Sequence, residues 1–190
     1  MKNVLRIMGT INEEVAMRFV EESDEIIEAY CEYLEQSEFV KEDLVQPFPT
    51  VTIEISSPGG STAYGSVVLD RIEELQMMGI QVDTFCRGMA YSMAFIIFLM
   101  GDKRYGGQWS TYMNHSSAGH QEGYVCDMKN NIDFMQRMDD KFDELILEKT
   151  LMTKERLETA RLKCDWIDFE EAIELDIINV FDEDEEKNEK

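Results

Sequence analysis

The chain has 190 residues, enough for one domain with a substantial core, and 44% of them are hydrophobic. Its 40 acidic and 18 basic side chains give a formal net charge of -22, which argues against nucleic acid or an anionic membrane as a partner. Four scattered cysteines (Cys31, Cys86, Cys126, Cys164) form no CxxC pair or Cys/His cluster, so no metal site is expected and reduced thiols in a cytoplasm fit best. The N-terminus lacks the apolar stretch of a signal peptide, and the apolar run Met89–Met100 is too short to span a bilayer.

In chain order, Val4–Met8 reads as a strand ended by Gly9. Asn12 then caps a helical pattern toward Glu35, with Val15, Phe19, Ile26, Ile27, Tyr30 and Leu34 at three- and four-residue spacing. Ser37–Pro49 reads as a loop, and Thr50–Ser56 alternates as a strand. A turn at Ser57-Pro58-Gly59-Gly60 opens a helix over Thr62–Met78 with Val67, Val68, Ile72 and Leu75 on one side. Ile80–Phe85 is the next strand, and the apolar run after Ser92 is a helix to Met100. Lys103–Tyr105 and Trp109–Asn114 read as extended, Asp127–Thr150 and Lys154–Lys163 as helices, and Ile177–Phe181 as a closing strand. Helices between successive strands predict an α/β layer fold with parallel strands. Residues 1–181 read as a single domain, and the acidic run Asp182–Lys190 as a solvated tail.

Ser92 stands in Gly88-Met89-Ala90-Tyr91-Ser92-Met93-Ala94-Phe95, where a strand exit turns into an apolar helix. Unpaired N–H groups and a positive dipole end lie beside a hydroxyl in that position, and they stabilise the oxyanion of acyl transfer to serine. A plain helix-capping serine fits the same place. In the Ser57–Gly60 turn, proline sets one dihedral and the glycines allow positive φ and close approach. Its functional reading gives the Gly60 N–H to a substrate oxyanion, where a Cβ would obstruct; an ordinary strand–helix turn is the other reading. His115 and His120 are the two histidines, and imidazole suits proton transfer near neutrality. His120, between Gly119 and Gln121, reads as a loop residue. A third group would be a carboxylate fixing the imidazole tautomer, and composition selects none of the 40.

Taken in order, Ser57-Pro58-Gly59-Gly60, Gly88–Met93 and Met113-Asn114-His115 resemble the motifs SPGG, GxAASMG and MIHQP of the Clp protease proteolytic-subunit family. The likeness runs from Val4 to Phe181. It implies the ClpP/crotonase-like α/β fold of stacked βαβ units, with a head over residues 1–120 and 151–181 and a projecting handle helix over 121–150. It further implies an ATP-independent serine endopeptidase subunit, without cofactor or metal, cutting peptides or unfolded polypeptide inside a homo-oligomeric ring. By position, Ser92 matches the family nucleophile and His115 its general base. Gly60 and Met93 match the two oxyanion-hole N–H donors. The family aspartate lies just before a short helix ending in Glu-Ala, which matches Asp165 in Cys164–Ala172. The spacing from Asp165 to Ala172 is one residue shorter than usual, and Asp168 is the alternative. Gly59, Gly123 and Tyr124 fall where the family holds extended substrate backbone.

The departures shape further expectations. The chain starts almost on the first strand, so the family's axial gate and its docking to an AAA+ unfoldase are the least supported properties. Cys164 stands where an arginine commonly ties opposing rings together, so a single ring of seven is expected more firmly than a double one. Such a trimmed member points to a divergent bacterial copy or a phage-encoded one acting in the host cytoplasm. Two other readings are a non-catalytic ring subunit and a crotonase-like acyl-CoA enzyme. The second needs a basic cluster for the CoA phosphates, and none is evident.

Overall fold

The structure, a computed structural model, describes residues 3–37, 39, 46–119 and 122–180. The acidic run 182–190, Phe181, His120, Gln121 and most of the loop between residues 37 and 46 lie outside them. The first half of the chain alternates β1 (Val4–Met8), α1 (Glu13–Ser37), β2 (Val51–Ser57), α2 (Thr62–Met77), β3 (Val82–Tyr91) and α3 (Met93–Leu99). β1 pairs with β2 and β2 with β3, all parallel, as the alternation of elements predicts.

Local chemistry accounts for the helix starts. Asn12 Oδ1 accepts the Val15 N–H at 3.0 Å ahead of α1, and Ser61 Oγ accepts the Tyr64 N–H at 3.4 Å ahead of α2. Val15, Phe19 and Ile26 of α1 are buried, as are Val68, Ile72 and Leu75 of α2. They pack with the alternating buried residues of β2, Val51, Ile53 and Ile55, in one core. Val67, expected beside Val68, is 39% exposed, because consecutive helical residues lie about 100° apart around the axis. All of α3 is buried, so this short helix is the centre of the molecule rather than a layer on it.

On the far side of the sheet the two expected extended segments form strands, while the length of β3 and the last strand depart from the expectation. β3 runs ten residues, through Gly88 to Tyr91, and ends immediately before Ser92. β4 (Arg104–Gly106) and β5 (Thr111–Asn114) lie one after the other along β3, both parallel to it. β6 (Asp165–Ile167) then adds antiparallel to β5. Three residues are too few for a legible alternation, and no strand was expected there. The residues from Ile177 to Val180 form no strand; the Asn179 and Val180 N–H groups instead donate to the Arg104 carbonyl at 3.2 and 3.3 Å.

α4 (Val125–Lys149) is a 25-residue helix in which Ile146 alone is fully buried. Met135, Phe142 and Leu145 meet the rest of the molecule, while Ile132 and Phe134 are exposed. α5 (Lys154–Ala160) ends earlier than expected, and α6 (Phe169–Glu174) follows β6. This is a mixed α/β fold around one sheet, with a helix that stands largely apart from the core.

Candidate active site

Ser92 leaves β3 with φ 55° and ψ -126°, a backbone conformation that side chains other than glycine rarely adopt. The strain is held by its surroundings. The Ser92 N–H donates to the Met113 carbonyl at 2.8 Å, continuing the pairing of Tyr91 with Met113 between β3 and β5. Because these strands are parallel neighbours, both deliver their next residues to the same edge. His115 follows β5 there, and its Nε2 lies 2.9 Å from Ser92 Oγ.

The glycine turn closes the other side. Gly59 has φ +93°, and a Cβ on it would lie 2.7 Å from both Ser92 Cβ and the Tyr91 carbonyl oxygen. Gly60 has φ +153°, and a Cβ there would strike the Ile11 backbone. The structure therefore gives position 60 a packing reason for glycine, its close approach to Ile11. Ile11 and Gly60 form a parallel bridge in which the Ile11 N–H goes to the Gly59 carbonyl and the Ser61 N–H to the Ile11 carbonyl. That pattern leaves the Gly60 N–H without an acceptor among the described residues. The Met93 N–H, at the first position of α3, is likewise unused.

A cavity of about 340 Å³ opens beside Ser92 and His115. Its apolar wall is Ile96 of α3, Met135 and Phe142 of α4, and Leu157 and Ala160 of α5. Asp139, Asp143 and Arg161 complete it. Arg161 bridges Asp140 and Asp143, each at 2.6 Å, and these carboxylates hold the guanidinium pKa above its ordinary value. Burial pushes the Asp143 carboxyl up, and Arg161 opposes that rise. The sequence singled out none of these three. Asp139 sits four residues after Met135 and three before Phe142, the spacing of one helix face, which is the signal that could have found it.

Asp165 lies elsewhere. The ladder places it opposite Asn114, one residue short of His115. Arg156 takes both its oxygens, through Nε at 2.6 Å and an Nη at 2.9 Å, and also holds Glu171 at 2.7 Å. The fork of a guanidinium matches a carboxylate, and Asp165 first, then Glu171, raises the Arg156 pKa. Asp168 accepts the Glu171 N–H at 2.9 Å as the cap of α6. Among the described residues, Ser92 is the one hydrogen-bond partner of the His115 ring. Gly123 and Tyr124 stand exposed just before α4 and do not line the cavity.

Among the described residues no cluster of His, Cys, Asp and Glu could hold a metal ion, and no helix is long and apolar enough to cross a membrane. The model of the Clp protease family matches residues 5–183. The ATP-dependent Clp protease proteolytic subunit 2 of Bacillus licheniformis is 30% identical over 131 residues, which span 68% of this chain and 67% of that one. The ATP-dependent Clp protease proteolytic subunit of Porphyromonas gingivalis is 28% identical over 155 residues, 80% of this chain and 68% of its own. With a match over nearly its whole length and this sheet architecture, the chain belongs to the Clp protease family.

Proposed function

We propose that this chain is a serine endopeptidase subunit in which Ser92 attacks the peptide carbonyl carbon. The observation that supports it most is the 2.9 Å contact between Ser92 Oγ and His115 Nε2, formed at a strained turn beside two unused N–H groups. His115 Nε2 accepts the hydroxyl proton as the C–O bond forms, then returns it to the leaving amine as the C–N bond breaks. Water, activated by the same imidazole, hydrolyses the acyl-enzyme. The N–H groups of Gly60 and Met93 face the developing oxyanion, and one such donor is worth about 3 kcal/mol. The side chain preceding the cut bond enters the cavity between Ile96, Phe142 and Leu157. No part of this step consumes ATP.

The reading includes a homo-oligomeric ring, taken as seven-membered, in which the exposed apolar residues of α4 find partners. Native mass measurement tests it, and a lone 22.1 kDa species would end that part. A fluorophosphonate probe tests the chemistry. Labelling of the wild type that Ser92→Ala abolishes is expected; a folded, assembled sample that never labels would refute the peptidase. A His115 ring whose other side meets no partner among the described residues is also what a non-catalytic ring subunit would show, and labelling separates the two.

A further inference from the structure

His115 lies on residues 115–119, which have no regular secondary structure, and no carboxylate among the described residues orients its ring. Something else must hold the imidazole against Ser92. Two residues further on, the Ser117 N–H donates to both Asp139 carboxylate oxygens at 3.1 Å, and Ser117 Oγ donates to Asp139 Oδ1 at 2.6 Å. The short O–H···O contact is a charge-assisted bond, among the stronger kinds available at a half-buried position. Ser116 Oγ adds a bond of 3.3 Å to the Arg161 carbonyl, and Arg161 is itself tied to Asp140 and Asp143. About one turn of α4 thus grips both the histidine segment and α5.

We infer that Asp139 is a positioning residue for His115, acting through Ser117 and doing by backbone anchorage what an orienting carboxylate would do by direct contact. The inference rests on Ser92 and His115 being the reacting pair. It makes the geometry of the site depend on where α4 sits: any displacement of that helix is passed through the Asp139–Ser117 bonds to the imidazole.

The experiment uses full-length, assembled protein carrying ¹⁵N-labelled histidine, in which only two rings give signals. Three variants are compared with wild type: Asp139→Ala, Asp139→Asn, which keeps one acceptor oxygen, and Ser117→Ala, which keeps the N–H donor. The expected result is a shifted or split His115 ring signal in Asp139→Ala, with fluorophosphonate labelling of Ser92 slowed roughly 10–100-fold. For a short peptide, kcat should carry the loss and KM should move less than about threefold. Asp139→Asn should recover part of the loss, and Ser117→Ala should fall between. If Asp139→Ala does not fold, the other two variants decide. Unchanged His115 signals in the folded variants would overturn the inference whether or not Ser92 reacts. Signals that depend on Asp139 in a protein whose Ser92 never labels would uphold the linkage and refute the peptidase reading instead.

Discussion

Arg156 holds both oxygens of Asp165, at 2.6 and 2.9 Å, and so ties β6 to α5 instead of leaving the carboxylate for His115. Amidation of an aspartate that orients a catalytic histidine costs about 10⁴ in kcat, because the wrong tautomer is then favoured. Asp165→Asn should slow Ser92 labelling by less than about tenfold, the loss of a partly exposed ion pair costing about 1 kcal/mol of stability. Labelling kinetics beside a thermal melt check this. A loss near 10⁴-fold would mean that Asp165 reaches the imidazole in solution.

Gly59 packs where a methyl group would meet the Ser92 Cβ and the Tyr91 carbonyl. Gly59→Ala must move Ser92 or the turn, in addition to the strain of its positive φ. We expect labelling to fall by more than about 100-fold and stability by about 2–3 kcal/mol. Titration of active sites, combined with urea denaturation, separates the two effects.

Arg104 is almost fully buried and donates to the carbonyls of Gly101, Lys149, Asp176 and Ile177. It therefore ties the end of α4 and the segment after α6 to β4. Arg104→Met fills similar volume but leaves those carbonyls without a donor. The expected cost is about 3–5 kcal/mol, read by denaturant unfolding.

Glu54 joins β1 to β3 by accepting bonds from Arg6 at 2.8 Å and Arg87 at 2.7 Å. The Arg87 hydrogen bond, with help from Arg6, lowers its pKa below the ordinary 4.5 against an opposing effect of burial. A folded-state pKa below the unfolded one means a contribution present in full above about pH 4.5 and lost as pH falls through the folded value. Both arginines are about half exposed, so solvent holds the effect to no more than about 1 kcal/mol. Glu54→Gln should lose stability relative to wild type at pH 7 and converge with it at acid pH. A gap that persists unchanged at pH 3 would disprove this account.

The positions of the candidate site were legible where they depend on local pattern. Ser92, Gly60 and His115 stand at strand ends beside turn glycines, and those features show in a few adjacent residues. The order of strands and helices in the first half was legible for the same reason, since alternation and helical spacing are properties of short windows. β6 was not, because three residues carry no period. Nor was the run of β3 to Tyr91, which goes through a glycine and arginine that read as a strand end.

By itself the sequence determined the elements of the parallel half and the turns that carry Ser92 and His115. The tertiary structure alone decided which acid meets which base. With 40 carboxylates in the chain, any of them could serve an arginine, a backbone N–H or an imidazole, and only packing chooses among them. Here the antiparallel register of β6 put Asp165 beside Arg156, and the closeness of α4 to the residues after His115 gave Asp139 to Ser117.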